Sequence, residues 1–202
     1  MRVPNSAHTS RPWRIHEITH DFRLEDVWEP PEVGGADDFG RLVDLVAAFD
    51  PAQSSSLPVR TLFAIRWKLG ELFDLDGPGT GVGSRVPTLR DRLPADLRDG
   101  PSGPEFDAVP FTSLYLTDDE WAAEAANKTM HGVLHMGRLP DGAGGFRAQM
   151  AIYVKPNGLF GDAYMAAIRP FRYLIVYPTI LGEIGHTWRT ATYAPSSVGT
   201  PA

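Results

Sequence analysis

The sequence predicts an α+β protein: one strand and two short helices, then a run of antiparallel strands, then a long apolar C-terminal helix. Three observations predict it. Phe146, Ala148, Met150, Ile152 and Val154 alternate with Arg147, Gln149, Ala151, Tyr153 and Lys155, the two-residue period of a strand. From Phe160 to Trp188, apolar residues recur at helical spacing. Between Asp37 and Leu75 stand two shorter helical patterns.

In chain order, residues 1–12 read as a flexible arm. "WRIHEITHDF", from Trp13, alternates as a first edge strand. "DDFGRLVDLVAAFDP" carries the stripe Leu42, Leu45, Val46 and Phe49, with Asp37 or Asp38 to cap it and Pro51 beyond its end. "LPVRTLFAIRWKLGELFDL" places Pro58 in the first turn, where proline costs least, and repeats Leu62, Ile65, Leu69 and Leu72; Gly77 and Pro78 close it. Its Arg66, Lys68 and Glu71 read as a solvated face. Residues 76–110, rich in glycine and proline, form an irregular surface excursion with at most a helical turn in "PTLRDRLPADLRDG". "FTSLYL" is a strand, and "DDE" at 118–120 a polar turn before it resumes. "EWAAEAAN" reads as strand because its neighbours pair as a hairpin across "DGAGG". Before that turn, Met130, Leu134 and Met136 share one face and Thr129, His131 and His135 the other. The last element, Leu159 to about Trp188, sets Phe160, Tyr164, Ile168, Phe171, Ile175, Leu181 and Trp188 on one stripe. Pro170 and Pro178 inside it predict kinks. Residues 189–202 read as a flexible tail, so a single domain spans 13–188.

The chain has 202 residues, 43% hydrophobic and 22% charged, enough for a sizeable core without a staple. Without cysteine it has no thiol nucleophile, disulfide or Cys-ligated metal. A net charge of −6 and the lack of any Lys/Arg run longer than two argue against nucleic acid. No apolar targeting segment opens the chain, and the uncharged stretch from Tyr173 to Gly182 is too short to cross a bilayer. The expectation is a cytoplasmic protein with no membrane partner and no cofactor. "GPGTGVG" lacks the strand–turn–helix setting of a dinucleotide loop.

"KTMHGVLHMG" poses the chemical question, because His131 and His135 stand four apart. On a strand they share a face with Cα atoms about 13 Å apart, at about 3.3 Å per residue. One zinc ion needs ligand nitrogens roughly 3.5 Å apart, so no metal site is expected. Two readings stay open: polar residues on a mixed sheet face, or His131 at a pocket wall, binding a ligand or moving a proton.

Three segments carry a resemblance: "VRTLFAIRWKLGELF", "PFTSLYLTDDEWAAEAANKTMHGVLH" and "MAIYVKPNGLFGDAYMAAIRPFRYLIVYP". From about Trp13 to Trp188 the chain resembles the DUF2867 group, and its element order resembles the SRPBCC superfamily, also called START-like or Bet v 1-like. The resemblance implies a helix-grip fold, a curved antiparallel β-sheet wrapped around the long C-terminal helix with a cavity between them. It carries over no catalytic motif, and the histidine-and-carboxylate iron arrangement of the oxygenase subunits is missing. The ligand-binding candidates for such a cavity are Tyr115, Trp121, Asn127, His131, Gln149, Tyr153, Tyr164 and Arg172. The expected function is binding of a small hydrophobic molecule. The alternatives are a cyclase- or dehydratase-type enzyme on a polyketide-like substrate, with His131 as base and a tyrosine as acid, and a protein-interaction domain without ligand.

Overall fold

The computed structural model describes residues 1–30, 33–35, 37–77 and 79–192. Among these residues seven strands run β1 (Arg2–Val3), β2 (Arg23–Trp28), β3 (Val33–Gly34), β4 (Thr112–Leu116), β5 (Glu120–Ala126), β6 (Met130–Pro140) and β7 (Phe146–Pro156). Six α-helices run α1 (Ser6–Thr9), α2 (Phe39–Ala47), α3 (Leu57–Leu72), α4 (Ala95–Arg98), α5 (Gly158–Phe171) and α6 (Tyr177–Thr192). The sheet is antiparallel, in the order β1-β2-β7-β6-β5-β4, and β3 also pairs with β7. This is the α+β class the sequence predicts, an antiparallel sheet with a long C-terminal helical element.

The hairpin is the backbone of the sheet. Its register runs from Met130 opposite Pro156 to Pro140 opposite Phe146, and Asp141 Oδ1 holds the turn by accepting from the amides of Ala143 and Gly145 at 2.8 and 2.9 Å. Alanine-rich β5 is extended because β4 and β6 supply ladders on both its sides, which outweighs local propensity.

The sheet is covered on both faces. On one, Trp28, Trp121, Leu134, Met136 and Met150 pack against α2 and, from α6, Leu181, Ile184 and Trp188. On the other, Val27, Ala122, Val133, Ala151 and Tyr153 pack beneath Trp13, Ile15, Ile18, Leu89, Leu93 and Leu97. Two-sided cover explains why period-2 patterning left the inner face undecided: both faces are inner.

The structure corrects several expectations. Trp13–Phe22 is no strand; Arg14–Glu17 is a 3-10 turn, and the strand begins at Arg23. Ile15 and Ile18, three apart and both fully buried, obey a helical rather than a two-residue period. Residues 1–12 are packed: β1 pairs with β2, and α1 buries His8 completely. Helix α6 continues to Thr192, past the expected end of the domain, and the rest of the expected tail, 193–202, lies outside the described residues, as does Pro78. Within 118–120, Glu120 is no turn residue but the buried first residue of β5. The expected kink after Pro170 is a π turn, Arg172–Val176, between α5 and α6. Finally, the stripes of α3 and α5 are not covered: Ile65, Leu69, Leu72, Phe160 and Phe171 are exposed, and α3 buries only Val59 and Gly70. Both helices begin well, α3 with a Ser56 cap on the Val59 amide and Pro58 in its first turn, so local signals rather than burial set them.

Candidate functional site

Two irregularities meet where the sheet faces the C-terminal helices. Strand β2 shifts register between Leu24 and Asp26, so neighbouring Glu25 and Asp26 are both buried. Opposite them the helix widens into its π turn, a local form frequent at functional sites. The two are stitched together. Arg172 Nη2 donates to Asp26 Oδ2 at 2.7 Å, Trp28 Nε1 donates to Asp26 Oδ1 at 2.9 Å, and Tyr173 donates to the Glu25 carbonyl at 3.2 Å. Arg169 reaches Glu25 at 3.5 Å, and Arg23 pairs with the same carboxylate.

Burial pushes the Asp26 carboxyl up, and the Arg172 guanidinium opposes it. Burial likewise pushes the adjoining Tyr177 phenol up to about 12, with Arg172 opposing. Arg172 Nη1 is buried and has no hydrogen-bond partner. An unmet N–H on a buried cation costs about 1–3 kcal/mol or more, so it marks a place for an acceptor. Beside this site stand α3 and α5. Ten of the eleven large hydrophobic side chains exposed among the described residues lie on α3, α5, the π turn or the residue after α3, Trp67, Leu72, Leu159, Phe160 and Leu174 among them. At the far end of α6 a shallow apolar cleft, open to solvent, lies between Pro30, Leu42, Phe146, Ile184 and Trp188.

The eight sequence candidates do not line one cavity. Arg172 is at the site just described. Tyr164 is half-buried on α5, its phenol raised by burial and sensing Arg66, Asp76 and Arg172. Asn127 serves the β5–β6 turn, where its Oδ1 accepts from the Thr129 amide at 2.8 Å and its Nδ2 donates to Asp76 at 3.0 Å. Asp76 is also held by both Nη atoms of Arg66 at 2.7 Å, so Arg66, still partly exposed, is tied down as well. Trp121 is a core residue between sheet and helix, its Nε1 donating to Ser113 Oγ at 3.1 Å and its ring stacked on Phe106.

Tyr115, His131, Gln149 and Tyr153 lie on the opposite face of the sheet, away from the C-terminal helix. This face also answers the histidine question. Glu120 and Glu124 on β5 repeat the four-residue spacing of His131 and His135 on the antiparallel β6. Each histidine therefore meets its own carboxylate: His131 Nε2 lies 2.7 Å from Glu124, and His135 Nε2 lies 3.1 Å from Glu120. The pairing of "E-x-x-x-E" with "H-x-x-x-H" across a hairpin was readable in the sequence and was missed, as were His8, His16 and Trp13. No group of three or more His, Asp or Glu side chains among the described residues is placed to hold a metal ion. Nor is any helix among them long and apolar enough to cross a membrane.

Glu120 is the hub of this face. It accepts from the amides of Arg14 and Ile15 at 2.9 and 3.3 Å and from the Tyr115 hydroxyl at 3.1 Å, besides its contact with His135. Burial would raise its carboxyl, but hydrogen bonding by His135 and the other donors outweighs it and the net direction is down. The glutamate is therefore an anion, and His135 Nε2 carries the proton between them. His135 itself, fully buried, is pushed down and stays neutral.

A family model described as "Protein of unknown function (DUF2867)" matches residues 18–179. No curated protein and no solved structure matches the chain.

Proposed function

The chain belongs to the DUF2867 family, and from that premise we propose that it binds a small, largely apolar molecule between its sheet and its C-terminal helices, in a START-like, helix-grip manner. The observation that carries this reading is Arg172, a buried cation under the π turn with one N–H left without a partner. A ligand carboxylate or carbonyl oxygen would accept that N–H, and its apolar body would cover the exposed side chains of α3 and α5. Asp26 holds the guanidinium from the sheet side and orients it for this contact. The sheet–α6 interface is filled by Trp28, Trp121, Leu181, Ile184 and Trp188, so on this reading the ligand would lie at the α3/α5 end of the element. His131, engaged with Glu124 on the other face, takes no part in this site.

The test uses 8-anilinonaphthalene-1-sulfonate, an apolar anion, as probe. Titration by fluorescence should give saturable binding to the wild type, weakened at least about tenfold in Arg172→Gln, the loss of one hydrogen bond to a charged group. Equal affinity in the two proteins would remove Arg172 as the anchor. Native mass spectrometry of protein purified from its own host should then show a small acidic or carbonyl-bearing adduct.

A further inference from the structure

Of six buried side-chain polar atoms without a hydrogen-bond partner among the described residues, five gather at one place, on the sheet face away from Arg172. They are His8 Nε2, Trp13 Nε1, His16 Nε2, His135 Nδ1 and the Tyr153 hydroxyl, the last beside Thr19. His8 is at the centre, its ring centroid 5.0 Å from that of His135, 5.4 Å from His16, 5.7 Å from Tyr153 and 5.8 Å from Trp13.

The sheet grips the His8 ring as a site grips a ligand. Gln149 Nε2 donates to Glu29 at 3.1 Å, which turns Gln149 Oε1 to accept the His8 Nδ1–H at 2.7 Å. His8 Nε2 is thereby left as a bare lone pair. His135, whose Nε2–H is held by Glu120, presents a second bare lone pair at Nδ1. Two bare acceptors cannot satisfy each other, and each unmet buried polar atom costs about 1–3 kcal/mol. As a mere core filler His8 is a poor choice. A ring with hydrogen-bond donors on both edges would meet Gln149 Oε1 with one and His135 Nδ1 with the other. The wall and the occupant also come from different parts of the chain. Glu120, His135, Gln149 and Tyr153 lie within the stretch the family model matches, whereas His8, Trp13 and His16 precede residue 18.

We infer that the groove between Gln149, His135 and Tyr153 is a binding site for a planar nitrogen heterocycle with donors on two edges, and that His8 of α1 occupies it in cis. The site is separate from the one at Arg172 and stands without it. The four-residue helix α1 is the plug, and a ligand competes with it for the same acceptor.

The test is a cavity complementation in the full chain. In His8→Gly at about pH 9, where these rings are neutral, imidazole should bind, seen as a rise in unfolding temperature and by calorimetry, and 2-imidazolone, with an N–H on each nitrogen, should bind more tightly. 1-Methylimidazole and toluene, which offer Gln149 no N–H, should bind at least about tenfold more weakly, the value of one hydrogen bond. Equal binding of imidazole, 1-methylimidazole and toluene would show an unspecific hole, and no binding of imidazole to the folded variant would show no site; either overturns the proposal. Should the variant not fold, hydrogen exchange on the intact protein decides. Imidazole should speed exchange of the Ser6–Thr9 amides at least about tenfold and leave β6 and β7 unchanged, and unaltered exchange overturns occupancy in cis.

Discussion

At the scale of single residues, the histidine-rich face makes stability depend on pH in a definite direction. Burial pushes His8 down to about 3, aided by nearby His135, and burial lowers His135 too. In the unfolded chain both titrate near 6.5, so below that pH unfolding takes up protons that the folded state refuses. Stability is therefore flat with respect to these groups above about pH 6.5 and falls as pH drops below it. The slope approaches about 1.4 kcal/mol per pH unit for each histidine, until pH nears its folded-state value. Urea unfolding at a series of pH values should show this, and His135→Gln should remove one histidine's share of the slope between pH 6.5 and 5. Glu120→Ala should be costlier than any surface change. It strands two backbone amides, the Tyr115 hydroxyl and the His135 N–H at once, and a loss of at least about 3 kcal/mol is expected in the same denaturation experiment. The importance of Glu120 was hidden in the sequence because a glutamate after two aspartates reads as a solvated turn. Only the burial of β5 between two ladders turns it inward.

At the scale of elements, the contrast is between the sheet and the two uncovered helices. Gly161 lets α5 settle on the β5–β6 turn, since a Cβ there would stand 2.1 Å from the Thr129 carbonyl oxygen. Gly161→Ala should cost about 1–3 kcal/mol in unfolding free energy and loosen the start of α5 rather than the sheet. Helix α3 buries only two of its residues, and its amides should exchange faster than those of β5, β6 and β7 in native-state hydrogen exchange. The helical spacing of α3 and α5 and the break beyond Pro170 were legible in the chain. Which stripe would face inward was not, because apolar periodicity says that a face needs cover and leaves open what supplies it.

At the scale of the whole molecule, one sheet separates two apolar layers, one closed by α2 and α6 and the other by the N-terminal segment and residues 89–97. Side chains in different layers share no neighbours, so their mutational costs should add. Ile18→Val and Ile184→Val should each cost about 1 kcal/mol, and the double variant should equal the sum within about 0.5 kcal/mol in equilibrium unfolding. A larger discrepancy would mean that the layers are coupled through the sheet.

The sequence alone determined the α+β class, the hairpin across its glycine-rich turn, both helices after residue 37 and the helical character of the C-terminal element, because these rest on short-range periods, caps and turns. Family membership was legible too, in three segments of ordinary-looking residues. The tertiary structure decided the rest: that Ile15 and Ile18 belong to a helical turn, that both sheet faces are interior, that Arg172 meets Asp26, and that His8 reaches Gln149 across 141 positions. Contacts over such separations depend on which layer each strand face joins, and no local pattern in the chain encodes that choice.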